Sequence, residues 1–145
     1  MTRAWNRLRY SGSLTKKSES WEASTGISIE RASFSLCGYD NGNDCVVDGD
    51  TFRYRGTTFR IADIDTPEVF SYRCAQEKHL GEEATRRLHA LLNAGPFVLE
   101  DFSSRDEDQY GRKLRRVTRN GQSLGMMLVA EGLAREWDGT RHPWC

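Results

Sequence analysis

The sequence has no long hydrophobic run, and no stretch approaches the about 20 apolar residues that a membrane-spanning helix needs. The first residues also lack the apolar segment of a signal peptide. An excess of charge of one sign is missing too, because 21 Lys and Arg balance 21 Asp and Glu. The chain is therefore not expected to contact a membrane, and its net charge alone does not indicate a nucleic-acid partner.

The cysteines include no Cys-x-x-Cys pair, the spacing that is typical of structural zinc sites. A zinc site stays open as an alternative, and the histidines it could use are His79, His89 and His142. In an exported protein the cysteines predict two disulfides, whereas in a reducing compartment they predict four free thiols. The four positions are Cys37, Cys45, Cys74 and Cys145.

At 145 residues, with 37% hydrophobic and 29% charged residues, the chain is long enough for one domain with its own core. Residues 1–36 are rich in Ser, Thr, Lys and Arg and show no sustained periodicity, so we expect them to be poorly ordered. Residues 37–145 are expected to form the folded domain.

Alternation of apolar and polar side chains predicts several short strands. These strands are expected at residues 45–48, 51–55, 58–64, 97–100 and 112–119. Gly56 marks a hairpin turn after the second strand, and Asn120-Gly121 marks a tight turn after the fifth.

Two helices are also predicted. The first runs from about Ala75 to Asn93, because one of its faces carries apolar residues at helical spacing: Leu80, Ala84, Leu88 and Leu91. Ser123 is expected to cap the second helix, and Gly132 to end it. Five short strands with a helix between the third and fourth fit an α+β protein with a five-stranded barrel of the OB-fold type.

Acidic residues stand near the ends of two predicted strands. A hairpin brings its outer ends together, so Asp50 is expected to approach Asp65. Two carboxylates held close repel each other unless a cation lies between them, and Ca²⁺ accepts oxygen ligands of this kind. With Arg60 and Glu68 nearby, the pattern suggests a phosphate diester attacked by water. Taken singly, Asp-Gly-Asp at residues 48–50 is a common turn sequence, and Asp-Thr-Pro-Glu at residues 65–68 could equally begin a helix.

Several segments resemble the staphylococcal-nuclease-like (thermonuclease) family. They are residues 47–51, 59–60, 64–68, 108–112 and 128–134, and the match runs in order from about residue 45 to residue 137. The resemblance implies an OB-fold and a Ca²⁺-dependent nuclease that hydrolyses phosphodiester bonds of DNA and RNA.

The resemblance also implies metal and water-activating residues. Asp50 and Asp65 would bind Ca²⁺ through their carboxylates, and Thr66 would bind it through its backbone carbonyl. Asp48 would support the metal-binding loop from behind. Glu68 would orient or deprotonate the attacking water.

Arg60 and Arg112 would hold the scissile phosphate, because a planar guanidinium fork matches its oxygens. Tyr110 would contribute to substrate binding. Gln109 stands where the family usually has Lys, and Trp137 is the nearest aromatic to the family's paired tyrosines. The alternative interpretation is a catalytically silent OB-fold module that binds nucleic acid or protein.

The resemblance and the spacing together suggest how the cysteines pair. Cys37 is expected to pair with Cys45 across a turn, and Cys74 with Cys145, which would tie the C-terminal tail to the loop after Glu68. The four cysteines and the family favour an exported protein, periplasmic or secreted. We expect a monomer.

Overall fold

The computed structural model describes residues 27–38 and 42–145 of the chain. The described strands are β1 Ile29–Glu30, β2 Ser35–Leu36, β3 Cys45–Asp48, β4 Thr51–Tyr54, β5 Thr57–Ile61, β6 Ile64–Asp65, β7 Phe97–Asp101, β8 Lys113–Arg119, β9 Gln122–Ser123 and β10 Arg135–Glu136. The described helices are α1 Ala75–Asn93 and α2 Leu124–Ala130. Neither helix has the length and apolar character needed to cross a membrane.

Most strands join one mixed sheet in the order β1-β7-β8-β5-β4-β3-β2, with β9 paired to β8. Its centre contains the five predicted strands, in the spatial order first, second, third, fifth, fourth. The third and fifth of these, β5 and β8, run parallel, and the other central pairs are antiparallel. This arrangement places the ends of β3 and β5 and the start of β8 on one side of the molecule.

The predicted closure into a five-stranded barrel is not seen in the strand pairing of residues 27–38 and 42–145. At the two ends of the central five strands, β2 pairs with β3 and β1 pairs with β7. The predicted strand 58–64 is also divided, since β5 ends at Ile61 and β6 pairs instead with β10. Arg60 Nη1 donates to the carbonyls of both Ile61 and Ile64, and this bridge holds the intervening turn closed.

The described part of the predicted N-terminal segment, residues 27–36, contributes to the sheet and the core. Phe34 is buried, and its ring packs edge-on to Phe52 with centroids 5.9 Å apart. Glu30 accepts a 2.8 Å hydrogen bond from the Tyr54 hydroxyl. The folded unit therefore includes residues that the sequence assigned to the poorly ordered segment, whose other residues, 1–26, lie outside the described ones.

Helix α1 packs on the core along the predicted face. Ala84, Leu88 and Leu91 are buried, as expected, and Leu80 is half-buried at the edge of the contact. The predicted cap of α2 is confirmed, because Ser123 Oγ accepts a 3.1 Å hydrogen bond from Met126 N. The two amphipathic helices thus cover the core side of the sheet.

Both predicted disulfides are present. Cys37 pairs with Cys45 and Cys74 with Cys145, with Cα–Cα distances of 4.9 and 6.2 Å. A zinc site that uses these cysteines is therefore wrong, because no thiolate remains to bind the metal. The three histidines have other contacts, to Glu83, to the Phe34 carbonyl and to Asp138.

Candidate active site

The loop between β3 and β4 carries Asp50 to the end of β6. Thr66 N donates to Asp50 Oδ2 at 3.3 Å, and Asp48 Oδ1 accepts from Asp50 N at 3.2 Å. A Cβ on Gly49 would lie 2.7 Å from the Cβ of Ala84. Only glycine therefore lets this loop rest directly on α1, and the helix fixes the position of Asp50.

Arg60 joins the two acids that the sequence predicted to approach each other. Its Nη2 atom lies 3.5 Å from Asp50 Oδ2 and 3.6 Å from Asp65 Oδ1. Its Nη1 atom is held by the carbonyls of Ile61 and Ile64, and its side chain is only 13% exposed. The two carboxylates thus share one immobilised guanidinium.

The charges around this acid pair are crowded and poorly solvated. Burial raises the pKa of Asp65; the charges of Asp50 and Glu68 raise it further, and those of Arg141 and Arg60 oppose the shift. Burial and the neighbouring Asp50 likewise raise the pKa of Asp48 well above its ordinary value. Like charges held together out of water favour a bound cation.

The donor atoms fit a hard, oxygen-bound cation. Asp65 Oδ1 is buried and accepts no hydrogen bond within the described structure, where its charged neighbours are the guanidiniums of Arg60 at 3.6 Å and Arg141 at 3.5 Å. Residues 27–38 and 42–145 contain no cluster of three or more His, Cys, Asp or Glu side chains arranged to hold a metal. Beyond Asp50 and Asp65, a cation would therefore need carbonyl oxygens and water, a mixture that Ca²⁺ accepts.

Helix α1 also holds the loop that carries Glu68. Glu77 is buried, and its carboxylate accepts hydrogen bonds from Glu68 N at 3.1 Å and Arg73 N at 2.9 Å. A Cβ on Gly81 would lie 2.8 Å from the Pro67 carbonyl oxygen. Sequence reasoning missed Glu77, although its spacing of seven residues before Ala84 places it on the inward face of the helix.

The turn before β8 presents Arg112 and Tyr110. Asp108 accepts from the backbone N of both Tyr110 and Arg112 at 2.9 Å, and from Arg112 Nε at 2.7 Å. Burial alone would raise the pKa of Asp108, but these hydrogen bonds lower it. Arg112 Nη1 donates to Thr51 Oγ1 at 3.4 Å, and the residue Tyr110 is 74% exposed.

Arg141, in the C-terminal tail, is a further site residue that sequence reasoning missed. Its Nη2 atom is paired with Glu68 Oε2 and lies 3.5 Å from Asp65 Oδ1. No local pattern marks this residue, because its partners are distant in the sequence. The contact depends on the tail's path back to the loop after Glu68, where Cys145 is bonded to Cys74.

Two clefts meet at Arg141. One, of about 420 Å³, is lined by residues that include Arg60, Asp65, Tyr110, Arg112 and Trp137. The other, of about 290 Å³, is lined by residues that include Glu68, Arg73, Glu77 and Trp144. Arg141 lines both, so its side chain separates the predicted phosphate-binding arginines from the predicted water-activating carboxylate.

The family described as "Staphylococcal nuclease homologue" matches residues 58–142, more than half of the chain. The chain therefore belongs to this family, whose members have an OB-fold. Residues 27–38 and 42–145 form a mixed sheet with two helices, and barrel closure is not seen among their strand pairs.

Two similar proteins from Bacillus subtilis (strain 168) are named as endonucleases. The chain is 40% identical over 96 residues to the SPbeta prophage-derived endonuclease YokF and 38% identical over 96 residues to endonuclease YncB. These matches cover 63% of this chain, but 32% and 45% of the two relatives. A third similar protein, the succinoglycan biosynthesis protein ExoI of Rhizobium meliloti (strain 1021), is 29% identical over 102 residues, 67% of this chain and 52% of that protein. The chain thus spans about a third to a half of the length of these relatives.

Proposed function

We propose that the protein is a Ca²⁺-dependent nuclease of the thermonuclease type, which hydrolyses phosphodiester bonds of DNA and RNA. The observation that carries the proposal is the shared contact of Asp50 and Asp65 with Arg60, next to a cleft that Arg60, Asp65 and Arg112 line. Carboxylates that can bind a cation lie there beside guanidiniums that can bind an anion. A phosphate diester that is attacked with the help of a metal ion needs both kinds of group. The endonuclease names of two relatives support the proposal.

In this proposal Asp50, Asp65 and the Thr66 carbonyl would hold Ca²⁺, and Asp48 would support Asp50. When bound, the cation would supply the positive charge that polarises the phosphate and lowers the pKa of water. Glu68 accepts the proton of the attacking water, and Glu77 fixes the loop from which it does so.

Arg60 and Arg112 stabilise the charge that builds on the phosphate oxygens during attack. Both guanidiniums are already oriented, Arg60 by backbone carbonyls and Arg112 by Asp108. Such preorganised donors need little rearrangement when the charge develops. Tyr110 extends the cleft with an exposed ring on which a base can stack.

The test is cleavage of labelled DNA and RNA oligonucleotides by the purified protein in Ca²⁺, in Mg²⁺ and in EDTA. We expect cleavage in Ca²⁺, no cleavage in EDTA, and slower cleavage in Mg²⁺, because Mg²⁺ demands stricter octahedral geometry than two carboxylates impose. Equal rates in Mg²⁺ and Ca²⁺ would count against this metal site, and unchanged cleavage in EDTA would exclude it.

A second candidate function rests on the pairing of Arg141 with Glu68. If that pairing persisted with substrate present, Glu68 could not accept a proton, and the protein would be a silent module that binds nucleic acid or protein. This candidate predicts oligonucleotide binding without cleavage in Ca²⁺. Any Ca²⁺-dependent turnover that disappears in Glu68→Gln would reject it.

We further propose that the protein acts as a monomer in an oxidising compartment, outside the cytoplasm. The two disulfides support the compartment, because glutathione and thioredoxin keep most cytoplasmic thiols reduced. Thiol labelling of the protein from its native host under denaturing conditions tests this: no label is expected without a reductant.

A further inference from the structure

Arg141 differs from the other two arginines of the clefts in how it is held. Arg60 is 13% exposed and is bound to backbone carbonyls, and Arg112 is anchored by Asp108. The side chain of Arg141 is 60% exposed, and in the described structure it forms ion pairs with the carboxylates of Glu68 and Asp65. It can therefore change partners without disturbing the core.

The backbone near Arg141 is, by contrast, firmly attached at both sides. On one side, Trp137 N donates to the Asp63 carbonyl at 2.9 Å. On the other, the Trp144 ring packs 3.8 Å from the Arg135 guanidinium, and Cys145 is bonded to Cys74. We call residues 137–145 the C-terminal strap. The strap therefore holds an exposed side chain at a fixed point between the two clefts.

The observed partners of Arg141 conflict with the proposed reaction. Its guanidinium pairs with Glu68 Oε2, an oxygen that could accept the proton of water, and lies beside Asp65, a proposed cation ligand. A dication bound at Asp65 would repel the Arg141 guanidinium, 3.5 Å from that carboxylate, as it would repel the Arg60 guanidinium at 3.6 Å. An anion placed between the dication and the guanidinium would attract both of them and so offset the repulsion.

We propose that Arg141 is a third phosphate-binding residue, which leaves Glu68 and binds a phosphate of the nucleic-acid chain when substrate enters. The inference rests on the proposed function and extends it to the C-terminal strap. The position of Arg141 at the junction of the clefts suits either the scissile phosphate or its neighbour along the strand. Release of Glu68 then accompanies substrate binding.

The first test measures binding without turnover. Affinity for a labelled single-stranded oligonucleotide of about 12 nucleotides is measured in EDTA by fluorescence anisotropy over a range of salt concentrations. Arg141→Ala should bind about 10-fold more weakly, and the slope of log affinity against log salt should fall by about 0.7, the loss of one phosphate contact on a single strand. Arg141→Lys should keep the slope, because it keeps the charge.

Arg86→Ala is the matched control, since it removes one exposed positive charge from α1 at a position outside the lining of both clefts. It should bind like wild type. If Arg141→Ala binds as tightly as wild type with an unchanged slope, or binds more tightly, the inference is overturned. A tighter complex would identify Arg141 as an inhibitory contact instead.

The second test measures turnover in Ca²⁺. Arg141→Ala should raise KM about 10-fold and change kcat less, since a phosphate contact made before the chemical step binds substrate and transition state alike. A Cys74→Ser/Cys145→Ser protein, shown by circular dichroism to be folded, should show the same rise in KM, because its strap is released. An unchanged KM in either variant contradicts the inference. If wild type neither binds nor cleaves, the proposed function itself fails.

Discussion

At the scale of the residue, the three arginines of the site share a residue type but differ in the groups that they contact. These contacts decide what each arginine can do. Arg60 could be assigned to the site from the sequence because it lies on the predicted strand that leads to Asp65. Arg112 could be assigned because it ends a segment that resembles the family. Arg141 could not, since its contact with Glu68 spans 73 residues and depends on how the strap returns. Long-range contacts of this kind have no local periodicity to reveal them.

Glu68→Gln tests the proton acceptor. The amide keeps the shape of the side chain and removes its charge, so cleavage should slow by about 10²- to 10⁴-fold, or roughly 3–5 kcal/mol. The measurement is single-turnover cleavage at saturating Ca²⁺. Glu83→Gln, at a glutamate that pairs with His79 on α1 and lies outside both clefts, serves as the control. Near-native cleavage by Glu68→Gln would remove Glu68 from the mechanism.

At the scale of the element, the local sequence pattern was sufficient to predict a strand or helix wherever one face of that element is buried. The bounds of α1 and of the first central strand followed from periodicity and turn residues, whereas the second central strand ends at Tyr54, one residue earlier than predicted. The strand at 58–64 was mispredicted because tertiary contacts compete with pairing: Arg60 bridges two carbonyls, and Asp63 accepts a 2.6 Å hydrogen bond from Ser123 at the start of α2. The resulting turn sends Asp65 toward β10 rather than along the main sheet.

Gly81→Ala tests whether α1 positions the loop carrying Glu68. The new Cβ would lie 2.8 Å from the Pro67 carbonyl oxygen and 3.1 Å from that of Glu68, so the loop must shift. We expect a loss of about 1–3 kcal/mol in the free energy of unfolding, measured by urea denaturation, and slower cleavage by the folded protein. Gly95→Ala is the control, because the nearest atom to its Cβ would be Arg119 Nε at 3.8 Å. If Gly81→Ala were more stable than wild type by the about 1 kcal/mol that Ala gains over Gly in a helix, the close helix–loop contact would be contradicted.

At the scale of the whole molecule, two disulfides stabilise different parts of the chain. The bridge between Cys37 and Cys45 spans 8 positions and supports the edge of the sheet, whereas that between Cys74 and Cys145 spans 71 positions and ties the strap to the site. The pairs could be predicted because the first flanks a turn and the second joins the tail to the loop after Glu68. The contact that the second bridge creates, between Arg141 and Glu68, could not.

The two bridges should therefore differ in their functional effect. In the loop-entropy model the long bridge contributes about 4 kcal/mol to stability and the short one about 2.5 kcal/mol. Paired Cys→Ser variants, compared by urea denaturation and by cleavage in Ca²⁺ at a temperature where both are folded, separate the effects. Loss of the long bridge should impair cleavage, while loss of the short one should lower stability alone. If loss of the short bridge slowed cleavage more than loss of the long bridge, a functional role for the strap would be excluded.

The central claim is that the acids beside Arg60 hold the cation that supports hydrolysis, and Asp50→Asn tests it most directly. Cleavage of one labelled oligonucleotide is followed at saturating Ca²⁺ for wild type and Asp50→Asn purified in parallel, together with Ca²⁺ affinity by calorimetry. The account predicts Ca²⁺-dependent cleavage by wild type, slowed at least about 10²-fold in Asp50→Asn with weaker Ca²⁺ binding, because one of two carboxylate ligands loses its charge. Wild-type rates and Ca²⁺ affinity in Asp50→Asn would contradict it.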